Sequence, residues 1–114
     1  MRRNNVVFLV GQVVQPEGRV VDVDGVPTPV IHMAVRTDPA SQEQPTVVVR
    51  GRQALELSHF LQASPTPLRV MVLGWLHSPS QGPGWVMADR VTAIAPHPVR
   101  QAAIASLRRA RGGH

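Results

Sequence analysis

Residues 46–54 constrain the fold more than any other part of the chain. Val47, Val48 and Val49 are three consecutive β-branched residues, and such residues favour an extended strand over a helix. Gly51 follows at the point where the chain must turn, because glycine adopts backbone angles that a side chain forbids. From residue 53 to residue 62, leucines and a phenylalanine recur at helical spacing. The segment therefore predicts a buried strand, a sharp turn and an amphipathic helix.

The chain before this segment is predicted to be mostly extended. Residues 5–14 form a long apolar strand in which Gly11 marks a bulge or a bend, and a barrel needs such a bend to close. Residues 19–23 form a short strand that ends at Asp24-Gly25, a dipeptide typical of tight hairpin turns. Residues 26–29 contain two prolines, which have no backbone N–H to donate. These four residues are therefore predicted not to form an interior strand.

Three more strands are predicted from alternating side chains. Over residues 30–36 the odd positions are apolar and the even ones include His32 and Arg36, which predicts a half-buried strand with both on its outer face. A polar loop over residues 37–45 follows. Residues 68–77 form the fourth strand, in which Trp75 and His77 lie on the other side of the strand from its valines. Residues 85–94 form the last strand. The loop between them, residues 78–84, is rich in Pro, Gly and Ser.

With the short strand of residues 19–23 left out of the count, the predicted order of elements is three strands, one helix and two strands. This is the order of an all-β, five-stranded OB-fold, a Greek-key barrel with its helix between strands 3 and 4. The length of 114 residues suits one domain, which we assign to residues 1–95. Residues 96–114 begin with Pro-His-Pro and are predicted to be a basic, arginine-rich tail that contains a C-terminal helix.

The formal net charge is +5, and all 12 basic residues are arginines. Arginine stacks on bases and forks onto phosphates, which suits a nucleic-acid binder. A GC-rich genome also favours arginine codons, so composition leaves both explanations open. The middle of the chain holds six arginines against all seven acids, whereas both ends are basic. Attraction to phosphate is therefore expected from the ends or from arginines clustered on one face.

Several classes of function are disfavoured by what the sequence lacks. There is no cysteine, which excludes disulfides, zinc–thiolate sites and thiol nucleophiles. No spacing of His, Asp and Glu resembles a metal site, and no nucleophile motif or glycine-rich phosphate loop occurs. We therefore expect no catalytic residues, no metal, no cofactor and no enzyme activity. The apolar run at residues 6–10 is too short for a signal peptide or a membrane span, so a cytoplasmic protein without membrane contact is expected.

Five segments resemble, in order, bacterial single-stranded DNA-binding proteins (SSB) and their shorter relative, the primosomal replication protein PriB. The segments are residues 5–11, 32–36, 47–61, 72–76 and 86–91. The resemblance implies a non-enzymatic protein that binds single-stranded DNA, or RNA, over an OB-fold face. It further implies a homodimer or homotetramer that acts with proteins of DNA replication, recombination or repair.

Two departures from the family bear on function. Aromatic residues make up only 4% of the chain, and Arg50 stands where an aromatic residue is usual in the family. Fewer stacking platforms predict weaker binding than in an ordinary SSB, since each stacked base contributes about 1–3 kcal/mol. The long linker and acidic tip of an ordinary SSB are also missing from this sequence, which in this respect and in length resembles the PriB-like branch.

The candidate nucleic-acid-binding residues combine arginines, histidines and tryptophans. They are Arg3, His32, Arg36, Arg50, Arg52, Trp75, His77 and Trp85. Trp75 is either a platform for a base or part of a subunit interface, and Trp85 either stacks on a base or caps the barrel end. Phe8 is assigned neither to the site nor to the core. Phe60 is predicted to lie in the core, and His59 is predicted to be an exposed helix residue.

One alternative function remains open at this stage. The nearly neutral core domain and the few aromatics also suit an OB-fold that binds proteins, or a primosome-assembly module, with weak or no nucleic-acid binding.

Overall fold

The computed structural model describes residues 5–38, 40 and 44–112. Five strands close into a barrel in the order β1-β2-β3-β5-β4, with one helix between the third and fourth strands and a second helix at the C-terminus. The elements are β1 (Val7–Val23), β2 (Val26–Arg36), β3 (Thr46–Arg50), α1 (Arg52–Ala63), β4 (Arg69–His77), β5 (Trp85–Ile94) and α2 (His97–Gly112). The predicted OB-fold is therefore confirmed.

The barrel closes because β1 has two partners. Its first half pairs with β4 and its second half with β2, and Gln12 lies opposite both Arg69 and Arg36. The ladder between β3 and β5 is short and parallel, whereas the other four ladders are antiparallel. Gly11 lies at the change of partner, where a Cβ atom would come within 2.3 Å of the Arg36 carbonyl oxygen. Glycine is therefore required there for close approach of two strands.

The structure corrects two predictions about β1. The predicted strands of residues 5–14 and 19–23 are parts of one continuous strand that begins at Val7, and the bulge lies between Val14 and Glu17 rather than at Gly11. Gln15 takes a positive φ of 49° at this bulge. Because the extra residues leave the regular register, Pro16 is accommodated without a ladder hydrogen bond. Pro16, which in the sequence indicates the end of a strand, therefore lies inside one.

Beyond this bulge, residues 17–29 form a two-stranded ribbon that extends the hairpin of β1 and β2. Asp24 and Gly25 both have positive φ, 50° and 81°, as the predicted hairpin turn requires. Pro27 and Pro29 lie opposite Asp22 and Val20, and β2 pairs with β3 only from Val30 onward. The prolines therefore lie in a segment with one neighbouring strand, consistent with their exclusion from an interior strand.

The core is built from the inward positions of the strands and one side of α1. The buried cluster consists of Val13, Ile31, Met33, Val35, Val47, Val49, Ala54, Leu57, Leu68, Val70, Val72 and Val86. Phe60 packs against this cluster, as its helical spacing predicts. Gly51 has a φ of 72° and starts α1, which directs the helix across the end of the barrel.

The side chain of Gln53 attaches α1 to β5. Its amide nitrogen donates to the Asp89 carbonyl oxygen, and its amide oxygen accepts from the Val91 backbone N–H at 2.6 Å. Both groups lie beside an irregularity in the β4–β5 ladder, between Leu73 and Gly74. One side chain therefore satisfies two backbone groups that the regular ladder leaves without partners.

Helix α2 packs along α1. Ala103 is fully buried, and the Nδ1 atom of His59 lies 2.7 Å from the Ser106 hydroxyl. His59 is therefore half-buried between two helices, and the prediction of an exposed helix residue is wrong. Arg100 donates to the Ala93 carbonyl oxygen at 3.2 Å and lies over the Phe60 ring. Neither α1 nor α2 is long and apolar enough to cross a membrane.

Candidate nucleic-acid interface

Most of the predicted site residues lie on the outer surface of β2, β3, β5 and β4, which we call the aromatic face. The six on this face are His32, Arg36, Arg50, Trp75, His77 and Trp85. Five of the six have a buried strand neighbour, so alternation directs them outward, and His77 follows Trp75 by two residues on the same side of β4. The register places His32 opposite Val48, Val48 opposite Met87, and Met87 opposite Trp75. One row of side chains therefore crosses all four strands.

Three aromatic rings lie side by side at one end of the aromatic face. The His77 ring is 4.5 Å from the Trp85 ring and 5.8 Å from the Trp75 ring, measured between centroids. The Trp85 ring is held by a hydrogen bond from its Nε1 to the Met87 sulfur at 3.1 Å. All three rings are half-buried, so part of each surface stays accessible to a ligand. Such a group provides stacking surfaces for consecutive bases.

Two arginines of the aromatic face have no acidic partner within the described part of the chain. Arg50 is exposed at the end of β3, and Arg36 is half-buried at the end of β2. Three ion pairs occur among the described residues, and none includes either arginine. Their guanidinium groups therefore remain able to bind phosphate oxygens.

Arg52 lies away from the aromatic face. Gly51 turns the chain after Arg50, so Arg52 becomes the first residue of α1 and its Nε atom lies 3.6 Å from Glu56 Oε2. An Nη atom of Arg111 approaches the same carboxylate oxygen at 3.8 Å. Arg50 and Arg52 are thus near neighbours in sequence that face different surroundings. The remaining candidate, Arg3, lies outside the described residues.

A cleft of about 580 Å³ opens on the aromatic face beside Trp85. Its walls come from strands β2 and β3 and from the loop of residues 78–84, which folds beside them. Its lining includes His32, Thr46, Val48, Pro79, Gln81 and Trp85. Sequence reasoning missed Thr46 and Gln81, because no aromatic or arginine in the loop indicated a site and only the closed barrel brings the loop next to β3.

Phe8 lies on β1, outside the four strands of the aromatic face, and it borders that face at Leu73 of β4, which is opposite it. It is 61% exposed on β1 and lies with Met71 and Leu73 around a shallow depression that Arg90 and Thr92 complete. We call Phe8, Met71 and Leu73 the apolar patch. Within residues 5–38, 40 and 44–112, no group of three His, Asp or Glu side chains is placed to hold a metal ion.

No protein-family model matches the sequence, and no curated protein matches it significantly. Among solved structures, the chain is similar to the SSB domain of a protein from Synechococcus sp., with 27% identity and a TM-score of 0.62 over 80% of this chain and 97% of that one. It is also similar to the N-terminal domain of PriB from Thermoanaerobacter tencongensis, described as dimeric, with 20% identity and a TM-score of 0.55 over 82% of this chain and 100% of that one. The predicted resemblance to SSB and PriB proteins is confirmed.

Proposed function

We propose that this chain is a non-enzymatic protein that binds single-stranded DNA across its aromatic face. One observation carries the proposal. On one face of an SSB-like barrel, three neighbouring rings lie together with two arginines that no acid within the described residues neutralises. Rings and unpaired guanidinium groups are the two kinds of group that single-stranded nucleic acid requires, because one stacks on bases and the other binds phosphates.

The proposed roles of the residues follow from their positions. Trp75 and His77 offer ring surfaces to successive bases, while Arg36 and Arg50 bind phosphates at the ends of β2 and β3. Arg52 contributes through long-range attraction, since Glu56 partly neutralises it. These roles place the proposed binding face within residues 1–95. The tail of residues 96–114, with Arg3 at the other end of the chain, adds positive charge that attracts the strand.

We propose further that the protein is a homo-oligomer that functions in DNA replication, recombination or repair. The apolar patch supports this proposal, because Phe8 and Leu73 are 61% and 42% exposed and side chains of this size are usually covered. A second copy of the chain would cover the patch. Sedimentation of the wild-type protein and of a Phe8→Glu variant tests this, with a smaller species expected for the variant.

A titration with fluorescent oligo-dT of increasing length tests the DNA-binding proposal. We expect binding at low salt that weakens as salt rises, since each phosphate contact releases counterions and contributes about −0.7 to the slope of log K against log salt for single strands. The same titration with oligo-U compares DNA with RNA. Failure to bind either polymer at about 50 mM salt would overturn the proposal.

The second candidate function is a protein-interaction or primosome-assembly module. The observation in its favour is again the apolar patch, which lies apart from the arginines of the aromatic face and suits a protein partner. The Arg50→Ala and Arg52→Ala variants separate the two functions. DNA binding that is lost in a folded Arg50→Ala protein supports the first, whereas partner capture that depends on neither arginine and on no nucleic acid supports the second.

A further inference from the structure

The cleft beside Trp85 differs in chemistry from the rest of the aromatic face. No arginine lines it, and its walls are largely apolar, formed by Val48, by the prolines of the loop at residues 78–84 and by Trp85. A phosphate group would lose hydration there without gaining a cation, which is unfavourable. A flat apolar ring system would gain contact with the Trp85 ring and the valine. The cleft therefore suits the base of a nucleotide rather than its phosphate.

The polar groups of the cleft suit the edge of such a base. His32 contributes an imidazole, Thr46 a hydroxyl and Gln81 an amide. No hydrogen bond within the described part of the chain engages any of these three side chains. An amide and a hydroxyl each provide both a donor and an acceptor, which base edges also present. The volume of about 580 Å³ falls within the range of small-ligand sites, about 300–1,000 Å³.

We propose that this cleft holds one nucleobase of the bound strand, removed from the stack of its neighbours, with its face against Trp85 and its edge toward Thr46 and Gln81. The inference rests on the proposed function, because it concerns the same strand on the same face. It adds a distinction within that face. Trp75 presents a ring surface that binds a base by stacking alone, whereas the cleft binds a base by its edge as well as its face.

The position of Arg50 is consistent with this arrangement. Arg50 follows Val48 by two residues on β3, so both side chains point outward on the same side of the strand. Arg50 does not line the cleft, yet it lies one outward position from its floor. A base in the cleft would therefore leave its phosphate near the guanidinium group of Arg50.

The experiment uses Trp85 as the only tryptophan. The chain has two tryptophans, so a Trp75→Phe protein reports on the cleft alone. In the Trp75→Phe protein, a second substitution, Thr46→Phe, fills the cleft with a ring. Residue 46 is the first residue of β3, and aromatic residues are favourable in strands. Val20→Phe is the matched control, since Val20 is an exposed β-branched residue on a strand of the ribbon and lines neither the cleft nor the apolar patch. The probes are thymidine, which has no phosphate, and oligo-dT.

We expect thymidine to quench Trp85 fluorescence saturably in the Trp75→Phe and Val20→Phe proteins and not in the Thr46→Phe protein. Oligo-dT should bind about tenfold more weakly to the Thr46→Phe protein, the loss of one stacked base, with an unchanged salt slope. Gln81→Leu leaves the cleft open and its strands intact, and should weaken thymidine binding severalfold. Gln81→Leu therefore tests the inference even if the Thr46→Phe protein does not fold.

Two results overturn the inference in different ways. If oligo-dT binds the Trp75→Phe protein but thymidine does not quench Trp85, or if both cleft variants bind oligo-dT as the control does, the cleft does not hold a base although the proposed function stands. If oligo-dT binds none of the proteins, including the wild type, the proposed function fails and the inference fails with it.

Discussion

The aromatic face and the ribbon are both exposed parts of one sheet, yet their chemistry is opposite. The ribbon of residues 17–29 carries three of the seven acids, Glu17, Asp22 and Asp24, and its one arginine, Arg19, is paired with Glu17. Its exposed apolar residues are valines. The aromatic face carries rings and two arginines without acidic partners among the described residues. In many OB-folds the loop between strands 1 and 2 binds oligonucleotides. Here the charges favour the barrel face instead.

The difference shows that the shape of this barrel does not by itself decide the path of a bound strand. For the proposed bound strand, the three carboxylates of the ribbon would repel phosphates and so favour a path over the aromatic face. Four sets of variants test this difference between the ribbon and the rest of the barrel, and we give them from the largest expected effect to the smallest.

The greatest contrast is expected in stability, between two glycines. A Cβ atom on Gly74 would lie 2.2 Å from the Met87 carbonyl oxygen, so Gly74→Ala forces β4 and β5 apart. We expect a loss of about 3 kcal/mol in the free energy of unfolding, measured by chemical denaturation. Gly18 lies in the ribbon with nothing within 4 Å of its Cβ position, so Gly18→Ala should change stability by less than about 1 kcal/mol. Equal effects would show that strands of the ribbon and barrel are packed alike.

The next contrast concerns arginines. Arg36→Ala combined with Arg50→Ala removes two cations without acidic partners among the described residues, and we expect about 100-fold weaker binding of oligo-dT at about 50 mM salt. The salt slope should become shallower by about 1.4, or about 0.7 per lost phosphate contact. Arg19→Ala, in the ribbon, is the control and should bind as the wild type does. A loss of affinity in the control as large as in the double variant would place the strand along the ribbon.

Aromatic residues give the third contrast. Trp75→Ala removes a half-buried ring from the aromatic face and should weaken oligo-dT binding about tenfold while leaving the salt slope unchanged, because stacking is not ionic. Phe8→Ala removes an exposed ring from the apolar patch and is the control, with sedimentation to check that it keeps the wild-type oligomeric state. Fluorescence anisotropy measures both. If Phe8→Ala alone weakens binding, the strand crosses the apolar patch rather than the aromatic face.

The smallest effect is expected from the acids of the ribbon. Asp22→Asn combined with Asp24→Asn removes two negative charges, and asparagine tolerates the positive φ of residue 24. Affinity for oligo-dT should rise about twofold at low salt and return to the wild-type value at high salt, where exposed charges are screened. Unchanged affinity at every salt concentration would show that the ribbon lies too far from the strand to repel it.

Local patterns in the sequence predict most of this fold. The alternation over residues 30–36 identifies the buried and outward sides of β2, and Asp24-Gly25 predicts a turn with two positive φ angles. Gly51 marks the start of α1 for the same reason, since its φ of 72° is one that glycine adopts readily. In each case the signal and the structure it determines lie within a few residues of each other.

Features that depend on distant contacts are not predicted. Gly11 permits a close approach of β2 at Arg36, and His59 is half-buried because Ser106 of α2 packs beside it. The turn at Gly51 is predicted, but the surroundings of Arg52 are not, because they include Arg111 of the distant helix α2, which approaches the same Glu56 carboxylate. The cleft is the clearest case, because Thr46 and Gln81 become neighbours only through closure of the barrel.

The two partners of β1 also set an order for assembly on the ribosome. The second half of β1 pairs with β2 as soon as residue 36 has emerged, whereas the first half waits for β4. During that interval residues 7–11 present an apolar strand edge without a partner, and such edges invite pairing with other chains. The nascent chain is therefore most prone to aggregation between synthesis of β2 and β4. Completion of β4 ends this period by covering the edge of β1, and β5 then closes the barrel by pairing with both β3 and β4.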